Sequence, residues 1–434
     1  MEVDLLKYPA RVNFTHTVRD LNGLDRNIDA IRVRGRVMRA DDDQWFLYED
    51  GIRTRVDLNE TLSQVKSGDY VIVNGDYLVE ENPLLVAKKV QLCSRSINVV
   101  RSDRDTRDFC GLELLADNKK RENIFIRAKA IKTIRSFLDS RGYVEVETPN
   151  LRYFPSSSST QMRTQSKING HEYFLRGSPE KHIQRLALSI PKFYEIGKCF
   201  RDDKCDDTHS PEFTMLEFYS TFADYKDMMG LSEELIETVA LETQGTTVLH
   251  FRGHEIDVKR PWKRISVRDA SKQEYGLDPI EVSTSELKRI LGIREDLSKE
   301  ALITRFIESK LEGIFIQPTF LTNYPTGVGS PDKTNEFDRK TMERSEGFLA
   351  GGLELVNIGT SNNDPLFLRD HYVKNIERRY GADKVAEYLD EDFLFEMGCG
   401  VPPLAGSGMG IDRLVMVLTG ERNINRVMCY PFRK

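Results

Sequence analysis

The chain has 434 residues, enough for two or three domains whose cores need no covalent staples. Apolar residues make up 39% and charged residues 30%, the balance of a soluble globular protein, and no run approaches the length of a membrane span. The net charge of −6 excludes nucleic-acid binding through overall charge, so any RNA contact needs a local basic face. The six cysteines have no paired spacing and read as reduced thiols. Cys199 and Cys205 are close in sequence, but no second Cys or His pair completes a zinc site. The opening MEVDLLKYPARV has an early acid and no apolar run, which argues against a secretory signal and for a cytoplasmic protein.

Residues 1–28 are mixed and carry no clear period. From Ile31 short alternating runs follow one another (IRVRGRVM, QWFLYED, IRTRVDL, DYVIVNGDYL, LLVAKKVQL), separated by Asp, Gly and Pro turn signals. Five short strands in about 65 residues fit a small closed barrel of the OB type. Such barrels often bind single-stranded nucleic acid on an aromatic and basic face. Trp45, Phe46 and Tyr48 with Arg32, Arg34, Arg36 and Arg39 would supply one, although alternation sends some of these aromatics inside. Residues 1–95 are thus expected to form a barrel domain, 96–115 a charged linker, and 116–434 a second domain.

A helix is expected from Lys119 to Arg141, with Ile124, Ala128, Ile131, Ile134 and Leu138 at helical spacing and Gly142 at its end. YVEVETP then alternates as a strand ending at Pro149. After a serine tract, Ser156 to Ser159, a strand runs into a helix at LRGSPEKHIQRL. Ser178 and Pro179 stand at its N-cap and first turn, and Glu180 is favoured there by the helix dipole. From Phe193 to Tyr219 two strands flank a polar loop. Alternation puts Glu195, Gly197, Cys199 and Arg201 on one face of the first, and Phe213, Met215, Glu217 and Tyr219 on one face of the second. Phe213 and Glu217 then lie about 13 Å apart, roughly the span from a nucleobase to a small acid joined through a phosphate. With a cation beside that row, the pattern suits activation of a carboxylic acid on a nucleotide.

Beyond it come a helix over residues 225–245, a hairpin near VLHFRGHEIDV, and helical pieces at SELKRIL and KEALITRFIESKL. Strand character returns at residues 313–324, and at GGLELVNIGT with Glu354 and Val356 on one face. Gly406, Gly408 and Gly410 lack the third glycine of a dinucleotide fingerprint, because position 411 is Ile411. They read as a glycine-rich turn before an apolar helix opened by Asp412 and Arg413, where an arginine is placed to bind phosphate.

Taken together, RGYVEVETPNL, FRDDKCDDTHSPEFTMLEFY and GSGMGIDRLVM resemble, in order, the three motifs of the class II aminoacyl-tRNA synthetases. The subgroup is the lysyl/aspartyl/asparaginyl one, and LRGSPE, PEFTMLEFYSTFADY and GVPPLAGSGMGIDRLVM are most similar to lysyl-tRNA synthetases. The resemblance implies an α+β fold, an antiparallel-sheet catalytic domain preceded by an OB-type barrel. It implies ATP and Mg²⁺ as cofactors, tRNA and an amino acid as partners, and a homodimer formed through the helix and strand ending at Pro149. Arg201 and Arg413 would be catalytic, with Asp203, His209, Phe213 and Glu354 completing the ATP site and Glu354 and Glu346 holding metal. Glu180, Glu217, Tyr219, Asn357 and Ser361 would line the amino-acid site, and Arg34, Arg36 and Phe46 would meet tRNA. The implied reaction is formation of an aminoacyl-adenylate and its transfer to tRNA. The alternatives are a paralogue that hands its amino acid to a protein or small molecule, and a non-catalytic RNA-binding relative.

Several positions depart from the lysyl pattern. Ser361 replaces a glutamate that pairs with the lysine ε-amine, and Gly359 replaces an aromatic residue. An unpartnered buried ammonium costs several kcal/mol, so weak activity with L-lysine is expected. Thr208 replaces an arginine, Asp203 a glutamate, and Glu346 stands one residue out of register from Glu354. The loop acids Asp202, Asp203, Asp206 and Asp207 are expected to repel a phosphate backbone.

Overall fold

The computed structural model describes residues 13–40, 44–59, 65–79, 82–94, 96, 110–155, 161–165, 170, 172–202, 205–329 and 331–432. The serine tract, Asp203, and most of the expected linker lie outside these residues. The chain divides into two compact units, Met1–Arg121 and Glu122–Lys434.

The first unit holds a closed barrel of strands Ile28–Arg39 (β1), Trp45–Glu49 (β2), Ile52–Asp57 (β3), Tyr70–Leu78 (β4) and Leu84–Ser94 (β5), in the order β1-β2-β3-β5-β4. Alternation decides its inside: Val33, Val37, Leu47, Val71, Val73 and Leu85 are buried, while Arg32, Arg34 and Arg36 turn outward. Of the aromatics, Trp45 packs against the core, whereas Phe46 lies under the Arg53 guanidinium, 4.5 Å from its ring centre. Arg34 pairs with the buried Glu49, and Arg36 donates to the Gly68 carbonyl at 2.7 Å.

The second unit is built on an eight-stranded sheet among the described residues. Its strands are Val144–Glu145 (β6), Lys192–Phe200 (β7), Glu212–Thr221 (β8), Lys263–Ser266 (β9), Thr319–Thr322 (β10), Arg344–Leu349 (β11), Leu353–Ser361 (β12) and Leu404–Gly410 (β13). They run in the order β9-β10-β11-β12-β13-β8-β7-β6, antiparallel except at the two ends. Three helices, Asn118–Asp139 (α1), Tyr225–Gln244 (α2) and Ile411–Thr419 (α3), contribute to the core against one face of the sheet. That core takes Leu216 and Phe218 of β8, Val356 and Ile358 of β12 and Met409 of β13. The opposite face is left to the polar and aromatic residues that alternate with them.

α2 begins at a capping box on Asp224 and ends at Gly245, whose φ of 74° suits a residue without Cβ. Two expected strands are shorter than their sequence pattern. β6 covers only Val144–Glu145; the Val146 N–H still donates to the Tyr194 carbonyl of β7 at 2.8 Å, and beyond it the Thr148 carbonyl accepts from Arg176 at 3.1 Å. In residues 313–324 only Thr319–Thr322 is strand, preceded by one turn of 3₁₀ helix at Glu312–Ile314.

Candidate active site

The hairpin of β7 and β8 forms the floor. Its register sets Glu195 opposite Glu217, Gly197 opposite Met215 and Cys199 opposite Phe213, so the two rows read from sequence share one face. Arg176 crosses this floor almost fully buried and pairs with Glu195 at 2.5 Å. A side chain at position 197 would overlap its guanidinium, hence the glycine. Arg201, just past β7, donates Nε–H to the Gly177 carbonyl at 3.1 Å and lies 5.2 Å from the ring centre of Phe213.

A second cation closes the same end. Thr214 N–H donates to Asp412 at 2.7 Å and Arg127 to Asp412 at 2.6 Å, which ties the start of α3 to β8. Arg413 then donates to the Glu354 carbonyl at 2.9 Å and to His209 Nε2 at 2.8 Å, and stands 3.5 Å from the Glu354 carboxylate. Because a guanidinium only donates, Nε2 of His209 accepts and its Nδ1–H donates to Asp206, 2.9 Å away. Partial burial raises the Asp206 carboxyl, but the Thr208 N–H and the His209 ring outweigh it and hold it down to about 2. Two acids of this loop therefore serve to shape it: Asp206 orients His209, and Asp207 accepts from Asn423 at 2.9 Å.

Glu354 reaches this end through an irregularity the alternating pattern does not show. A bulge sets Gly347 opposite Val356 but Phe348 opposite Glu354, so Leu355 and Val356 are both buried and Glu354 leaves the face of Val356. The expected sharing of a face by Glu354 and Val356 is thus corrected. Glu346 stands directly opposite Asn357 and accepts from it at 3.0 Å, so its shifted sequence register still leads to this site. Its carboxylate also takes Arg344 at 2.5 Å and Tyr324 at 2.7 Å. Burial, reinforced by Glu346 and Glu354, lifts the Glu312 carboxyl to about 8.

At the other end of the floor, Ser178 donates to Glu217 at 3.0 Å and Tyr219 donates to it at 3.1 Å. Burial, then the neighbouring Glu180, push the Glu217 carboxyl up to about 7, and burial raises Glu180 as well. Gln184 donates to Glu180 at 3.4 Å and to Ser361 at 3.2 Å. Pro179, and not Ser178, occupies the cap position of the short helix Glu180–Gln184. The Ser178 hydroxyl still accepts from the Glu180 N–H at 3.1 Å, so it bridges the two glutamates. The glycines read as a turn are strand β13 itself. Gly406 pairs with Tyr219 and Gly408 with Glu217, and a Cβ at 406 would overlap the Tyr219 ring.

The chain matches the family of class II tRNA synthetases (D, K and N) over residues 108–434. It belongs to this family. It is similar to proteins named lysine–tRNA ligase: 36% identical to that of Bacillus subtilis over 74% of this chain and 66% of the relative. For Moorella thermoacetica the identity is 36%, covering 74% of this chain and 67% of the relative. For Clostridium acetobutylicum it is 32%, covering 86% and 77%. The chain spans about two thirds of the length of the first two relatives. The barrel and mixed sheet are those of a class II synthetase with an OB-type module.

Arg201, Phe213, His209, Glu354 and Arg413 thus converge at one end of the floor, and Glu180, Glu217, Tyr219 and Ser361 at the other, with Asn357 and Glu346 along β12 and β11. Arg34, Arg36 and Phe46 belong to the barrel unit. Sequence reasoning missed Arg176, Gln184, Arg344 and Tyr324, whose local sequence shows no pattern that separates them from structural residues. Asp332, within the stretch between β10 and β11, gave no signal at all.

Proposed function

We propose that this chain activates an amino acid with a cationic side chain on ATP and transfers it to tRNA, in the manner of a lysine–tRNA ligase. The observation that carries the reading is the pairing, on one sheet face, of two oriented guanidinium groups at Arg201 and Arg413 with an acidic pocket at Glu180 and Glu217. Phe213 supplies an aromatic face for adenine beside Arg201. The substrate carboxylate attacks the α-phosphorus in line, the bond to the β-phosphate oxygen breaks, and pyrophosphate leaves. Arg201 offsets charge at the α-phosphate and Arg413, braced by His209, at the departing phosphates. A hydroxyl at the tRNA end then attacks the mixed anhydride and AMP departs. No side-chain nucleophile takes part; holding the reactants in line is the main device.

Among the described residues no three metal-ligating side chains converge. That suits Mg²⁺, which is held by one or two carboxylates together with substrate phosphates. Glu354, with 38% of its side chain exposed, would hold it, with Glu346 behind through Asn357, and the ion would supply charge neutralisation on the phosphates. The outward arginines of the barrel are the proposed contact for tRNA, with residues 1–95 as its module and 116–434 as the catalytic one. Exposed Phe125 and Val144, on α1 and the edge strand β6, support a homodimer through that edge. Among the described residues no helix is long and apolar enough to cross a membrane.

ATP–pyrophosphate exchange with a panel of amino acids tests the proposal. Exchange that depends on at least one cationic amino acid is the expected result, and none across the panel would refute it.

A further inference from the structure

The place left small by Gly359 and Ser361 is filled by another segment. Asp332 pairs across to Ser361 as an isolated antiparallel bridge, and the Lys333 N–H donates to the Thr360 carbonyl at 2.8 Å. The Asp332 carboxylate leans over Gly359, where any Cβ would overlap it, on the face of β12 that carries Asn357 and Ser361. The group is buried, with 10% of its side chain exposed, and Arg344 is among its partners, 3.8 Å away. Arg344 sits closer to Glu346, at 2.5 Å, so one guanidinium serves two buried carboxylates. Glu180, beside Arg344, Lys181 and Arg152, and Glu217 stand beyond, so carboxylates line this end of the site and are placed to pair with a substrate ammonium.

We propose that Asp332 is the specificity-determining carboxylate of the amino-acid pocket and selects a diamino acid shorter than lysine. This rests on the reading of the site as one that activates an amino acid. A side-chain carboxylate rooted at 361 would stand one two-residue step, about 6.6 Å, farther from Asn357 along β12 than one lying over 359. Moving the negative charge from 361 to 359 brings it toward the end where the substrate carboxylate is held. The second ammonium must then lie nearer the α-carbon, as in ornithine or 2,4-diaminobutyrate. Gly359 is part of the device, because only a residue without Cβ leaves Asp332 this room.

The test is ATP–pyrophosphate exchange by the full chain with lysine, ornithine and 2,4-diaminobutyrate. The wild type is expected to favour a shorter diamino acid over lysine in kcat/KM by about tenfold or more, the scale of one methylene in a fitted pocket. The isosteric D332N is expected to raise KM for that amino acid about 100-fold, the scale of an unpaired buried charge, while KM for ATP moves less than about twofold. Gly359→Ala, which displaces the carboxylate without removing it, should shift KM in the same direction. Thermal unfolding of both variants separates misfolding from altered recognition. Exchange in which lysine is preferred, or in which D332N leaves the amino-acid KM unchanged, overturns this inference alone. Silence with every amino acid overturns it together with the activating function.

Discussion

The two ends of the sheet face are built by different rules. At the Arg413 end three of the site groups are each aimed by a carbonyl or a carboxylate: Arg201 by the Gly177 carbonyl, Arg413 by the Glu354 carbonyl, His209 by Asp206. At the Gly359 end the groups come from five separate segments, around Ser178, Glu217, Asp332, Arg344 and Ser361, and they meet only in the folded sheet. A phosphate-binding end must present the same charges to the same atoms, so its residues stay locked in short motifs. A side-chain pocket assembled from distant pieces can be remade by changing one segment, and here the stretch between β10 and β11 does so.

Substitutions that separate the ends should confirm or collapse this contrast. Arg413→Ala should lower kcat for ATP–pyrophosphate exchange by about 10³-fold, the scale of one lost transition-state donor. Equal loss in amino-acid binding alone would erase the distinction. Glu217→Gln should raise the amino-acid KM by about 10- to 100-fold and leave KM for ATP nearly unchanged, as measured by the same exchange assay. Gly406→Ala should cost about 1–3 kcal/mol in denaturant unfolding, because the new methyl group must displace the Tyr219 ring.

The smallest effect concerns pH. Glu217 is raised to about 7 by burial and then by Glu180, with the Ser178 and Tyr219 hydroxyls and then Arg201 acting the other way. Its anion, which a cationic substrate needs, forms as pH rises through that value. The amino-acid KM should therefore fall about tenfold from pH 6 to pH 8, and Glu217→Gln should flatten the profile. Since the folded carboxyl holds its proton more tightly than the unfolded one, this group also makes the unliganded protein less stable as pH rises from about 4.5 to 7. Thermal melts with and without the amino acid over that range would check the sign.

The barrel and the β7–β8 hairpin are legible in the sequence because their strands alternate side chains turned into a core with side chains turned to solvent or to the site, so alternation appears in the residues themselves. The glycines of β13 could not be read this way. They look like a turn, yet they are small because Tyr219 and Glu217 lie across them. The bulge at Leu355 is equally silent, since its register depends on the partner strand, and with it goes the reason Glu346 and Glu354 serve one site. The loop acids read by composition only as a barrier to phosphate; the fold adds that Asp206 and Asp207 also accept hydrogen bonds that only the folded loop makes. Asp332 acquires meaning only from the space above Gly359, 27 positions on in the chain.

Binding of two non-hydrolysable aminoacyl-adenylate analogues, carrying lysine and ornithine on the same adenosine, reads both ends at once by calorimetry. The account predicts that both bind, through the shared adenosine and phosphate-site groups, and that the ornithine analogue binds about tenfold or more tightly. Failure of both to bind, or equal or tighter binding of the lysine analogue, would contradict it.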